Sequence, residues 1–137
     1  MNGVTYEDLD EYLREHRIRY WSAREIARSG IPPVSLWPNI IPTLRAADHL
    51  REAFGPGVCT SGYRSPGYNA RVGGAPNSTH VNFNALDVRF MNGSPQDWAT
   101  YVRSVLGLKL WVSVGEYPTF VHLDTRAIID GRPAWHN

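Results

Sequence analysis

The sequence predicts an α+β fold, and three observations predict it. Apolar residues recur at helical intervals through the first third of the chain. Two later stretches, ALDVRF and FVHLDTR, alternate apolar and polar residues as strands with one buried face do. The helices come first, and the strands, with shorter helices among them, come after. At 137 residues the chain is long enough for a real core. No repeat, low-complexity segment or linker interrupts residues 1–137, which are read as a single domain.

The first helix is expected over residues 5–16, with Thr5 as its N-cap, Glu7 and Asp8 in the first turn, and Tyr6, Leu9 and Leu13 as the apolar stripe. Ser22 opens a second, short helix, with Glu25 completing a capping box and Gly30 closing it before Ile31-Pro32-Pro33. Tyr20 and Trp21 read as core aromatics. Residues 34–41 read as an irregular connection. Pro42 then begins the longest helix, with Leu44, Ala47, Leu50 and Phe54 on one face and Gly55 at its end. These helices read as a packing layer without chemistry of their own.

A short strand over 58–61 leads into the turn Gly62-Tyr63-Arg64. Ser65-Pro66 starts a short helix that ends at Gly73-Gly74. Residues 75–84 form a loop that contains His80, and residues 85–90 form a strand. Asn92-Gly93 makes a turn, and Ser94-Pro95 starts a helix with Trp98, Val102 and Val105 facing inward. Residues 108–114 and 120–126 read as two antiparallel strands joined around Tyr117-Pro118. In the tail, His136 reads as a surface histidine.

Composition excludes several classes. A formal net charge of +1, with signs mixed and no long basic run, gives no case for nucleic acid as a partner. Arg14, Arg17 and Arg19 read as a solvated helix end. No apolar run is long enough to span a membrane, and the acidic N-terminus lacks the apolar stretch of a signal peptide. The one cysteine, Cys59, lies in the apolar run Gly57-Val58-Cys59-Thr60. It has no internal disulfide partner and reads as a small buried hydrophobe. A monomer is expected, because no long apolar stripe is left over beyond what one core needs.

The chemistry-bearing residues emerge from strand alternation. In ALDVRF, Leu86, Val88 and Phe90 share one face, and Asp87 and Arg89 share the other. In FVHLDTR, Val121 and Leu123 point one way, His122 and Asp124 the other. If the apolar faces share one core, Asp87 and His122 project from the opposite face of one sheet, and the loop brings His80 over it. Two imidazoles and one carboxylate suit zinc, and three protein ligands leave a fourth position for water, as in catalytic sites. Spacing alone also permits a plainer alternative: a loop His80, an Asp87 that hydrogen-bonds at a strand end, and a core His122.

SGYRSPGYNARVGG, then Ser78-Thr79-His80 with Asp87 seven residues further on, then FVHLDTR, together resemble the M15 family of zinc D-Ala-D-Ala peptidases, in its small bacterial and phage cell-wall branch. The likeness begins upstream, through SLWPNIIPTLRAADHLREAFG, and covers roughly residues 22–126. It implies a small antiparallel sheet of the Hedgehog/D-Ala-D-Ala-peptidase type, with N-terminal helices packed against it. It also implies zinc held by His80, Asp87 and His122, and a peptidoglycan stem peptide as substrate. Arg64, at the family's S-G-Y-R arginine, is implied to clamp a substrate carboxylate or stabilise an oxyanion. The alternative for Arg64 is a structural arginine on loop carbonyls. Ser78 matches a serine that contacts substrate, or it braces the ligand loop. Tyr68 and Asn69 are expected to hold that loop in place.

One position departs from the family pattern. Many members carry a glutamate three residues before the last zinc histidine, and here that residue is Thr119. A proton acceptor is still needed for water to attack an amide. Asp124 is either that base or an outer partner that orients a ligand. Glu116 and Tyr117, in the turn before the strand, are the other source of a base or an oxyanion donor.

The expectation is a zinc metallopeptidase that cuts D-amino-acid-containing bonds of peptidoglycan stems, as carboxypeptidase or endopeptidase. A phage-type wall enzyme, made in the cytoplasm and reaching the wall by a release partner or in a virion, fits the absence of a signal peptide. The rival expectation is a zinc-binding structural or wall-binding module without catalysis.

Overall fold

The computed structural model describes residues 3–106, 112–129 and 131. The α1 helix (Tyr6–Glu15) begins at a capping box. Asp8 N–H donates to the Thr5 hydroxyl at 3.1 Å, and Thr5 N–H donates to the Asp8 carboxylate at 2.8 Å. The helix buries Leu9 and Leu13, and Tyr6 packs beside them part-buried. The α2 helix (Ala23–Ile26) has the expected box of Ser22 and Glu25. It stops at Ala27, short of Gly30, because Tyr63 N–H takes the Ile26 carbonyl at 2.8 Å and ties the helix end to the chain beyond the first strand.

The α3 helix (Trp37–Phe54) starts five residues before the expected Pro42, directly after a 3-10 turn over Val34–Leu36. Pro38 falls in the first turn, where a missing N–H costs nothing. Pro42 sits inside the helix and forfeits one backbone bond. Burial of Trp37, Ile40 and Ile41 holds that turn helical in spite of it. Each such side chain contributes roughly 1.5–3 kcal/mol relative to exposure. Gly55 ends the helix at φ 86°.

The sheet has the order β1-β2-β4-β3, built from β1 (Gly57–Ser61), β2 (Ala85–Phe90), β3 (Ser113–Glu116) and β4 (Val121–Asp124), with every pairing antiparallel. The β2 strand has the bounds that alternation predicts. Leu86, Val88, Val121 and Leu123 are fully buried against Leu44 and Leu50 of α3, which lies across β2 and β4. Thr43 of α3 donates its hydroxyl to the Asn84 carbonyl at 2.8 Å, pinning the entry to β2. Between β1 and β2 runs α4 (Pro66–Arg71), capped by Ser65. Cys59 is buried and free of disulfide, as expected.

The α5 helix (Pro95–Tyr101) begins at a capping box of Ser94 and Asp97 and continues as a π turn over Val102–Leu106. The wider turn changes the facing of the residues within it. Trp98 and Val102 are buried, but Val105, expected inside, is 38% exposed. The expected strand over 108–114 lies partly outside the described residues, and the described strand begins at Ser113. His136 also lies outside them. At the other end, β4 stops at Asp124 and a short helix, α6 (Arg126–Ile129), replaces the last residues of the strand expected over 120–126. The Asp124 carboxylate accepts from Arg126 N–H at 3.0 Å, which turns the chain out of the sheet. Among the described residues, no helix is long and apolar enough to cross a membrane.

Candidate metal centre

Asp87 and His122 are direct cross-strand partners of β2 and β4, on the face opposite Leu86, Val88 and Leu123. His80 arrives from the loop between α4 and β2. That loop is held at its start by the buried Asn69, whose amide donates to the Ala75 carbonyl at 2.8 Å while its backbone carbonyl accepts from Gly74 N–H at 2.8 Å. It is held at His80 by Arg64 N–H, which donates to the His80 carbonyl at 3.1 Å.

The three side chains meet under cover. His80, Asp87 and His122 are 5%, 8% and 8% exposed, and one ligand atom from each lies within 4.8 Å of the others. His122 Nδ1 is 3.0 Å and His80 Nε2 3.4 Å from the same Asp87 carboxylate oxygen. The remaining nitrogens are tied off. His80 Nδ1 donates to the Gly62 carbonyl at 2.7 Å, and His122 Nε2 donates to the Asp124 carboxylate at 2.7 Å. Each imidazole thus carries a proton on its far side and turns its near nitrogen toward Asp87. Outer partners of this kind fix the tautomer that a metal ligand needs. The donor set is therefore fit to hold a metal ion.

The electrostatics point the same way. Burial pushes the Asp87 carboxyl up, but hydrogen bonds from His122 and His80 outweigh it and bring its pKa down to about 2. Burial works against a charged His122, yet the Asp124 and Asp87 carboxylates on its two nitrogens raise its pKa above the ordinary value. Asp124 is fully buried. Against that burial, His122 and Arg126 hold its carboxyl well below the usual carboxylate range. Arg126 grips it with Nε at 3.0 Å and Nη2 at 2.6 Å. With Arg126 matching Asp124, Asp87 is the carboxylate that a cation held among the three would neutralise in place of the His122 proton.

A cleft of about 250 Å³ opens over His80 and His122, with Ser78, Tyr117 and Arg126 in its wall. The residues expected from sequence take different places around it. Asp124 lies behind His122 and hydrogen-bonds it, on the side away from the near nitrogen. Ser78 lines the cleft and also accepts from His80 N–H at 3.2 Å, bracing the loop. Tyr117 lines the cleft and stacks on Phe120, with ring centroids 4.7 Å apart and planes 3° from parallel. Arg64 is not in the lining; its Nη1 donates to Asn69 Oδ1 at 3.4 Å, so it braces the loop from behind. Glu116 closes β3 opposite Val121, on the core face of the sheet. It is paired with Arg103 at 3.9 Å and is not brought to the cluster. Thr119 is exposed in the turn.

Sequence reasoning missed two contributors. Arg126 opens the helix that follows β4 and reaches Asp124 back across the turn; its place two residues after Asp124 in FVHLDTR is the signal that could have found it. Thr79, buried, sets its hydroxyl 3.5 Å from His122 Nε2; only its place beside His80 hinted at this.

A three-residue donor set whose two imidazoles line a cleft and are oriented from behind fits a candidate metal-dependent hydrolase. The family is settled by comparison: the model described as Peptidase M15 matches residues 6–124, and the chain belongs to that peptidase family. No curated protein and no solved structure matches it.

Proposed function

We infer that the protein is a zinc peptidase acting on D-amino-acid-containing stem peptides of bacterial peptidoglycan. The observation that carries this reading is the tied-off pair of imidazoles around Asp87, within a chain of the M15 family. Two nitrogens and one carboxylate oxygen suit zinc over harder cations. Bound there, zinc would supply an activated water and a polarised carbonyl.

The chain's own residues do the rest. His80 and His122 enter with their far protons already placed, so binding needs no tautomer exchange. Asp124 and Arg126 hold His122 in orientation. Tyr117, at the cleft wall, offers a phenolic hydroxyl to the oxygen of a bound peptide carbonyl. Ser78 keeps the His80 loop in register and presents a hydroxyl to substrate.

One observation favours a second reading. No residue described as lining the cleft is a carboxylate, and Thr119 stands where many relatives carry glutamate. A zinc-binding wall module without turnover fits that gap. Hydrolysis of a muropeptide ending in D-Ala-D-Ala, and of cross-linked peptidoglycan, with zinc and after chelation, separates the two. Zinc-dependent cleavage of either supports the peptidase. A folded, zinc-loaded protein that cleaves neither is the module.

A further inference from the structure

Asp87 has a neighbour on its own face of the sheet that the metal centre does not use. Arg89 lies two residues further along β2, about 7 Å away at the spacing of a strand. Val88 between them is fully buried on the core side, and Asp87 and Arg89 stand opposite Ser61 and Val58 of β1. Arg89 is exposed, and its guanidinium takes part in no ion pair or hydrogen bond among the described residues. It does not pair with Asp87, whose carboxylate oxygen faces His80 and His122. Arg64 and Arg126 are both occupied: Arg64 donates to Asn69, and Arg126 grips Asp124 with Nε and Nη2. The surface beside Arg89 carries no competing acid. The exposed residues of β1 are Val58 and Thr60, and Asp87 is the one carboxylate in β1 and β2.

We propose that Arg89 is a specificity residue that takes a carboxylate of the substrate, one or two residues from the bond held at the metal. This rests on the peptidase reading above and names what that site selects. Arg89 is outside the lining of the cleft over His80 and His122, and lies where a peptide leaving the metal along β2 passes. An extended peptide advances roughly 3.3–3.6 Å per residue, so one or two residues span the interval from Asp87 to Arg89. A guanidinium takes a carboxylate in a two-bond fork, which a lysine answers only with a point charge. In a stem peptide that carboxylate is the C-terminal one or the free α-carboxylate of a γ-linked D-glutamate. Because Arg89 is exposed, solvent screens the pair and the discrimination is modest, about fivefold.

The test reads the carboxylate directly. Binding to the metal-free protein, where nothing is cut, is followed by NMR titration. One pair of probes is N-acetyl-L-Lys-D-Ala-D-Ala and its C-terminal amide. The other is L-Ala-γ-D-Glu-L-Lys and its D-isoglutamine form. The variants are Arg89→Gln and Arg89→Lys, whose zinc affinity should equal that of the parent because Arg89 is no part of the donor set. In at least one pair the parent binds the acid about fivefold more tightly than the amide. Arg89→Gln binds both forms alike, and Arg89→Lys keeps part of the preference. With zinc bound, Arg89→Gln raises KM for the preferred acid about fivefold, with little change in kcat. A preference in the first pair assigns the terminal carboxylate, and in the second the branch carboxylate. Equal binding of acid and amide in both pairs, no binding of any probe, or a preference that survives Arg89→Gln overturns the proposal. Cleavage decides the peptidase reading separately. A preference lost in Arg89→Gln, with no zinc-dependent cleavage, leaves the carboxylate site standing on a chain that is not a peptidase.

Discussion

On β4, Asp124 and His122 stand two residues apart, and the fully buried Asp124 carboxylate accepts the His122 Nε2 proton at 2.7 Å. Because β-strand side chains alternate, this pair shares a face by construction. Arg126, the first residue of α6, then fastens the carboxylate once the chain has turned out of the sheet. The strand thus supplies a ligand and its orienter, and the first residue of the helix that follows supplies the orienter's counter-ion. That arrangement makes Asp124 an outer partner and leaves Nδ1 of His122 toward Asp87.

Asp124→Asn keeps the shape but can leave His122 on the wrong tautomer and Arg126 without its anion. Zinc affinity should fall by about 10–100-fold, the usual effect of removing a ligand's outer partner. Competition with a chromophoric chelator measures it. Unchanged affinity would contradict the orienting role.

The metal-free protein should have a stability maximum in mildly acidic solution. Asp87 has a folded pKa of about 2, below its unfolded value near 3.9, so its contribution is present above pH ~4 and is lost as pH falls toward 2. It is of order 2 kcal/mol. His122 has a raised folded pKa, so its contribution is complete below the unfolded value of about 6.5 and is lost as pH rises through the folded value. After chelation, Tm at pH 5 should exceed Tm at pH 9 and at pH 2.5. A flat profile from pH 5 to 9 would mean that His122 is not held charged.

The strands of the site were legible because their signals are local. ALDVRF and FVHLDTR alternate cleanly, and the helix starts at Ser22 and Ser94 need only four residues to declare themselves. The features that escaped the sequence depend on tertiary contact. Trp37, Ile40 and Ile41 make a helical turn out of a proline-rich run because they are buried, which periodicity cannot see. The roles of Arg64 and Glu116 turned on where loop and edge-strand side chains point. A π turn and a one-residue change of face decided that for Val105 and Glu116. The bend after Asp124 was hidden because the carboxylate that orients His122 also caps the next turn.

Gly62 is a sensitive point of the scaffold. A Cβ there would lie 2.0 Å from the Ile26 carbonyl oxygen, the acceptor that joins α2 to Tyr63, while the Gly62 carbonyl itself holds His80. Gly62→Ala must therefore move either the helix end or the His80 support. We expect more than about 2 kcal/mol of destabilisation in urea unfolding, together with weaker zinc binding. Full stability in this variant would mean that the α2 end can retreat without cost.

His80→Ala separates a metal that builds the fold from one that the fold presents. The loop reaches its position through backbone bonds that do not use the imidazole: Arg64 N–H and Phe83 N–H both donate to the His80 carbonyl, at 3.1 and 3.2 Å. The core beneath, with Leu86, Val88 and Leu123, lies on the other face of the sheet. Losing the side chain removes a hydrogen bond to Gly62, worth about 1 kcal/mol, the contact with Asp87 and some local packing. The variant should keep its circular dichroism spectrum and cooperative unfolding, with Tm lowered by several degrees, yet bind zinc at least a hundredfold more weakly. Collapse to an unfolded chain, restored by excess zinc, would instead make the metal a structural element of the domain.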